Sequence, residues 1–318
     1  MAENDLNLLC EKIRDAKSIL IAGHKNPDGD SLCSVLALAG LIKRNFNKDA
    51  LCVYDGNVPD MLDNVPNRNL MHYYGRVDLS KSFDLAILVD YGTRNHIGGV
   101  MPALESAGFV IEIDHHKNDD VVGNLCLDDT SAAAVGEIIF NIATKLKWDF
   151  DADINNLIAI SVLTDTGYFK YAHSGNVLRI MAKLVDAGVD IENISNLLNN
   201  KPRKSVLTEA AVTSRAEFFY HGRLALATID AKDYKNLDGR GDTILSLLGQ
   251  IKGVEYIALL KRQKENQTGV SLRGKNKPVD DIASALGGGG HTFAAGAVVH
   301  DSIDNVRVRI LDLFKGVK

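Results

Sequence analysis

Among the 318 residues there is one tryptophan, and no two of the four cysteines form a Cys-x-x-Cys pair. Cys10, Cys33, Cys52 and Cys126 are scattered. That excludes a zinc ribbon or a disulfide framework and predicts buried free thiols in a reducing cytoplasm. No apolar run reaches membrane-spanning length. The opening "MAENDLNLLCEK" is acidic and polar, unlike a secretory apolar region. Internal repeats and low-complexity tracts are also missing. With six prolines and 46% hydrophobic residues, the composition is that of a globular protein, and its length suits two domains.

Positive charge is scarce in one part of the chain. Residues 1–200 carry 17 Lys/Arg against 28 Asp/Glu, whereas residues 201–318 carry 19 against 13. An acidic part joined to a basic one fits carboxylates gathered around cations, facing a surface that holds an anion. The runs "SILIAG", "ALCVYDG", "FDLAILVDYG" and "GFVIEIDHH" read as buried strands. Helical stretches at 30–45 and 154–163 alternate with them, which predicts a mostly parallel sheet flanked by helices over residues 1–198. Helical periodicity continues from Leu178 to Leu198, and "NNKPRKSV" at 199–206 then reads as a linker. Residues 207–318 mix strands such as "RLALATID", "VEYIALLKRQ" and "TGVSLRG" with short helices, a smaller α+β domain.

What each strong N-terminal strand leads into is unusual. "SILIAG" runs into "HKNPDGDS", which puts His24, Asp28 and Asp30 around one turn, before a helix capped by Asp30 or Ser31. "LAILVD" ends at Asp90, "FVIEID" at Asp114 followed by His115 and His116, and a helix delivers Asp165 in "LTDTGYF". In an open parallel sheet, ligands collect outside the carboxyl ends of the strands. One aspartate there is an ordinary turn residue, but four such segments aimed at one edge imply a site. Five carboxylates and three imidazoles crowded together need countercharge, because like charges raise one another's pKa. Two divalent cations would supply it; mixed oxygen and imidazole ligation favours Mn²⁺, with Mg²⁺, Co²⁺ or Zn²⁺ as options.

Farther on, Gly287 to Gly290 follow a short helix with Asp280 or Asp281 as its cap. Four glycines exceed what a helix end requires. The exposed N–H groups of Gly288, Gly289 and Gly290 are expected to cradle an anion, next to His291 and to Arg273. Arg94 and His96 are candidate phosphate contacts. Lys261, Arg262, Lys264, Lys275 and Lys277 read as a mainly solvated face, with one or two lining the cleft.

The ordered motifs "HKNPDGDS", "LVDYGT", "IDHHK" and "LTDTGYF" resemble those of the DHH phosphoesterases, and "ALGGGGHTFAAGAV" resembles the glycine-rich motif of the DHHA1 domain. The arrangement is similar to the NrnA-like branch, nanoRNases and 3′-phosphoadenosine-5′-phosphate phosphatases. The resemblance implies that His24, Asp28, Asp90 and Asp165 hold one metal, and Asp30, Asp90 and His115 a second, with Asp90 bridging. It assigns His116 to the scissile phosphate, Asp114 to orienting the cluster, and Arg273, Gly288–Gly290 and His291 to the substrate. The active site would lie in the cleft between the domains. Tyr91 departs from the family pattern, at a position expected on the substrate-facing edge. Substrates would be short single-stranded oligoribonucleotides, linear dinucleotides or 3′-phosphoadenosine-5′-phosphate, hydrolysed in the cytoplasm without membrane or long duplex nucleic acid. Such proteins are often homodimers. Two other readings remain: a manganese-dependent inorganic pyrophosphatase, which would carry a basic Arg-Lys-Lys-type cluster where this chain has "GGGGH", and a non-catalytic nucleotide-binding protein.

Overall fold

A computed structural model describes residues 2–117, 120–172, 174–237 and 241–315, with no description of the side chain at position 291. The chain divides into two compact units, Met1–Asn200 and Lys201–Lys318. In chain order the first holds α1 (Glu3–Asp15), β1 (Ile19–Ala22), α2 (Gly29–Phe46), β2 (Leu51–Tyr54), β3 (Met71–Tyr73), β4 (Leu85–Val89) and α3 (Met101–Glu105). There follow β5 (Val110–Ile113), β6 (Leu125–Cys126), α4 (Val135–Lys145), α5 (Ala152–Asp165), α6 (Gly175–Asp186) and α7 (Ile191–Asn199).

The six strands form one parallel sheet in the order β3-β2-β1-β4-β5-β6. Every residue of β1, β4 and β5 is buried, which is why these strands read as unbroken apolar runs. One sheet face packs Ile19, Ile21, Ile87 and Ile111 against α2, α4 and α5. The other packs Leu20, Ala86 and Leu88 against Ile97, Val100 and Leu104. Each fully buried Leu or Ile contributes about 1.5–3 kcal/mol. The chain winds outward from β1 in one direction and from β4 in the other, so the switch point lies between the ends of these two strands. The β3 and β6 strands, three and two residues long, are too short to leave an alternation pattern in the sequence.

In the second unit come α8 (Arg203–Ser214), β7 (Glu217–Phe219), β8 (Leu224–Ile229), α9 (Ala231–Asn236), α10 (Asp242–Gly249), β9 (Tyr256–Lys264) and β10 (Gln267–Gly274). It closes with α11 (Asp280–Ala285), β11 (Gly289–His291), β12 (Ala294–Val299) and α12 (Ile303–Lys315). Of the stretch read as a linker, 203–206 is already the first turn of α8, whose N-cap is Pro202. The mixed sheet runs β11-β12-β10-β9-β8-β7, with only β8 and β9 parallel. Helices α11 and α12 cover one face. On the other, α8, α9 and α10 pack on Ala225, Ala227, Ile257 and Leu259 of β8 and β9.

Candidate active site

The turn after β1 is organised by its own side chains. Asp28 is the N-cap of α2, accepting from the Ser31 N–H at 3.0 Å, so the helix starts before the expected caps Asp30 and Ser31. Ser31 Oγ in turn accepts from the His24 N–H at 3.1 Å. The Asp30 carboxylate points inward and is 1% exposed. It accepts from Ser34 Oγ (3.0 Å), Ser161 Oγ (2.5 Å) and the Val135 N–H (2.8 Å), which ties α2 to α4 and α5. Asp90 follows β4 with φ +50°, a left-handed conformation that Asp tolerates better than most residues.

Two groups meet at Asp90. His24 Nε2 stands 3.6 Å from Asp28 Oδ1 and 3.6 Å from Asp90 Oδ2. His115 Nε2 stands 3.6 Å from Asp90 Oδ1, 3.6 Å from Asp165 Oδ2 and 3.9 Å from Asp30 Oδ2. Asp90 thus turns one oxygen to each histidine. Asp165 keeps company with Asp30 and His115, whereas the family resemblance pairs it with His24 and Asp28. These separations exceed hydrogen-bond length and match ligands sharing a cation about 2.1 Å from each. His115 Nε2 is buried with no hydrogen-bond partner among the described residues. His24 Nδ1 donates to the Lys25 carbonyl at 2.9 Å, which leaves Nε2 as the ring atom turned to the carboxylates, able to carry a proton or to bind a cation. The donor set fits divalent cations.

Burial, reinforced by Asp90 and Asp165, drives Asp30 well above the carboxylate range. Burial also raises Asp165 to about 6, against the pull of His115 and with help from Asp90. Burial alone would lower both histidines, but Asp28 and Asp90 lift His24 to about 9, and Asp90, Asp30 and Asp165 lift His115 to about 10. The cluster draws positive charge to itself, as protons or as metal.

Asp114, fully buried, works from behind. One oxygen accepts from His116 Nδ1 at 2.8 Å, the other from the Tyr91 and Gly92 N–H groups at 3.0 and 2.8 Å. Asp90 Oδ1 also approaches His116 Nδ1, at 3.5 Å. The Asp114 N–H donates to Asp128, which forms a further group with Glu112 and Cys126 that the motif pattern gave no reason to expect. Burial, then Glu112 and Asp114, raise Asp128 to about 6. Tyr91, expected at the substrate-facing edge, is instead 1% exposed and packs in the core beside Leu88 and Ile97. Arg94 is held by Glu105 at 2.6 Å in an exposed pair worth about 0–1 kcal/mol, so it can exchange partners at little cost. The His96 carbonyl accepts from the Lys25 N–H at 2.5 Å.

In the second unit the glycine run is not the open loop expected. Gly289 and Gly290 belong to β11, paired with Gly296 and Ala295 of β12, and the Gly288 N–H donates to the Ala283 carbonyl at the end of α11. The N-cap of α11 is Val279, one residue before the expected aspartates. Glycine is needed at 288 because a Cβ there would lie 2.1 Å from the Gly296 carbonyl oxygen. Gly288→Ala should therefore push β11 off β12 and cost about 1–3 kcal/mol, read as a lowered calorimetric Tm. Arg273 and His291 fall in one cross-strand row on either side of Ala294, though the His291 side chain lies outside the described residues. Arg273 Nη2 is 3.7 Å from Asp242. On the part of their sheet face that α8–α10 leave uncovered, an open pocket of about 470 Å³ is lined by Lys261, Gln263, Gly269, Gly287, Gly288 and Gly296, among others. Burial lowers the Lys261 ammonium, Asp242 opposes the shift and Arg273 adds to it. Lys261, of the five basic residues read as a mainly solvated face, is the one that lines this pocket.

A doubly wound α/β unit with a candidate metal centre at its switch point, followed by a mixed-sheet unit, defines the class of protein. Residues 18–164 match the N-terminal domain of the DHH family and residues 226–316 the DHHA1 domain, so the chain belongs to the DHH/DHHA1 family. It is 28% identical to a Streptococcus mutans protein named probable bifunctional oligoribonuclease and PAP phosphatase NrnA, over 92% of this chain and 93% of that one. It is 29% identical to the bifunctional oligoribonuclease and PAP phosphatase NrnA of Thermus thermophilus, over 96% and 92%. An exopolyphosphatase-related protein from Bacteroides fragilis shares the fold, with a TM-score of 0.90 at 21% identity over 99% and 97% of the two chains. No described helix is long and apolar enough to cross a membrane.

Proposed function

We propose that the protein hydrolyses phosphoester bonds of short oligoribonucleotides and of 3′-phosphoadenosine-5′-phosphate, with two divalent cations, Mn²⁺ favoured. The observation that carries this reading is Asp90, which turns one carboxylate oxygen to His24 and the other to His115. The names of the NrnA relatives support the substrate class. His24, Asp28 and Asp90 would hold one cation, and Asp30, Asp90, His115 and Asp165 the other. Cations so held lower the pKa of a bound water and stabilise charge on phosphoryl oxygens. Asp114 fixes the His116 ring and the Tyr91–Gly92 backbone, and His116 is proposed to meet a phosphoryl oxygen. The acidic first unit disfavours long nucleic acid, whose binding scales with neutralised phosphates.

Every phosphodiester looks alike to a metal centre, so preference for short substrates needs a contact besides the metals. Arg273, with Lys261 and the glycine-floored face beside them, is proposed to hold the substrate's other end. Arg273→Ala should raise KM for a dinucleotide about tenfold or more and change kcat less, with metal content unchanged. Wild-type kinetics on every substrate length would remove Arg273 from that role. The decisive experiment is a turnover panel with Mn²⁺ and with Mg²⁺, comparing a dinucleotide, a long oligomer, 3′-phosphoadenosine-5′-phosphate and pyrophosphate. Cleavage of pyrophosphate alone would overturn the reading.

A further inference from the structure

The metal-centre residues occupy the ends of β1, β4 and β5, but the same sheet edge continues across β2 and β3, where aromatic side chains collect. Tyr54 and Tyr73 are the last residues of β2 and β3 and face each other in register. Their ring centroids are 5.9 Å apart, and Tyr73 lies 5.0 Å from Tyr74 at 65°. All three rings are half-buried, so the strip keeps part of its surface open to solvent. The Arg68 guanidinium lies 5.3 Å from the Tyr54 ring centre, and its buried Nε has no hydrogen-bond partner among the described residues.

The strip is fastened to the metal-centre turn. Ala22 of β1 pairs with Val53 of β2, and just beyond the strand ends the Asn26 N–H donates to the Asp55 carbonyl at 2.8 Å. Asp55 accepts from the Gly99 N–H at 2.8 Å and lies 4.0 Å from the Lys25 ammonium. A Cβ on Gly99 would sit 2.3 Å from the Tyr74 ring, so the missing side chain is what lets that ring lie against the backbone. Asp55 and Lys25 also act on the Tyr73 phenol, whose pKa rises through burial, Tyr74 and Asp55 while Lys25 opposes. With neighbouring strands about 4.8 Å apart, Tyr73 on β3 stands about 10 Å across the sheet from β1, within one nucleotide's reach of a phosphate at His24.

Half-open aromatic rings with an arginine beside them are a surface on which nucleobases stack, and such stacking tolerates any base. A phosphodiesterase acting on short RNA of varied sequence needs that tolerance. We propose that Tyr54, Tyr73, Tyr74 and Arg68 form a subsite that stacks a nucleobase of the nucleotide next to the scissile phosphate. This rests on the hydrolase reading above for its substrate, but not for its binding chemistry.

The test uses the full chain with Mn²⁺. Tyr73→Ala should raise KM for a diribonucleotide about 5- to 150-fold, the worth of one stacked base, with kcat little changed. Hydrolysis of the same diribonucleotide made abasic at that nucleotide should be unaffected by Tyr73→Ala, and Tyr73→Phe should restore the diribonucleotide KM. An unchanged KM in Tyr73→Ala overturns the proposal, as does an equal loss on the abasic substrate or failure of Phe to rescue. Tyr73→Trp supplies a reading independent of turnover. The only native tryptophan, Trp148, packs edge-on against Phe46. Fluorescence from the new indole should be quenched by adenosine 5′-monophosphate, and absence of quenching sinks the subsite. If the wild type cleaves no oligonucleotide but quenching is seen, the hydrolase reading fails and the base-stacking subsite stands.

Discussion

Asp90→Asn is expected to lower turnover by about 10³-fold or more and to reduce metal content at the same time. The two Asp90 oxygens stand 3.6 Å from different histidines, His24 on one side and His115 on the other. An amide has one oxygen and no charge, so it can serve at most one of them. Asn is preferred to Ala for the experiment because it tolerates the left-handed φ of +50°, which separates loss of ligation from backbone strain. Thermal melting of the metal-free protein should be nearly unchanged, while metal analysis should show fewer ions per chain. Two ions still bound in Asp90→Asn would show that Asp90 does not bridge.

His116→Ala should behave differently, with metal content preserved and kcat lowered about 10²- to 10³-fold, the usual worth of one donor that stabilises developing charge. The distinction comes from Asp114. Its hydrogen bond to His116 Nδ1 at 2.8 Å fixes this ring from behind, whereas His115 points Nε2 among three carboxylates. Metal analysis together with kinetics decides it. A variant that lost an ion would mean the two histidines had been given each other's roles.

The strand-plus-ligand layout was legible because a parallel sheet buried on both faces turns strands into unbroken apolar runs, and the first polar residue after each run then stands out. His24, Asp90 and His115 could be placed at one edge on that basis. Which aspartate faces which histidine could not, because that depends on how α5 leans over the turn. Asp165 beside His115 is therefore a finding of the structure. The glycine run misled for a related reason: Gly289 and Gly290 look like loop residues until β12 is seen pairing with them. Helix starts moved by one or two residues, since Asp28 and Val279 took capping positions assigned to their neighbours. Tyr54, Tyr73 and Tyr74 gave no signal at all, because β3 is only three residues long and a facing pair on neighbouring strands is invisible along the chain.

Asp90's backbone also bears on how this protein can drift. At φ +50° a glycine would sit without a side-chain clash, and holding a non-glycine residue there costs about 1 kcal/mol. A lineage freed from its chemistry would therefore gain or keep stability by replacing this aspartate. Selection for a hardier fold and selection for the intact centre pull in opposite directions at this one residue. Stability-driven consensus design applied to the chain would be most liable to erase its activity there, and would do so while the protein still folded.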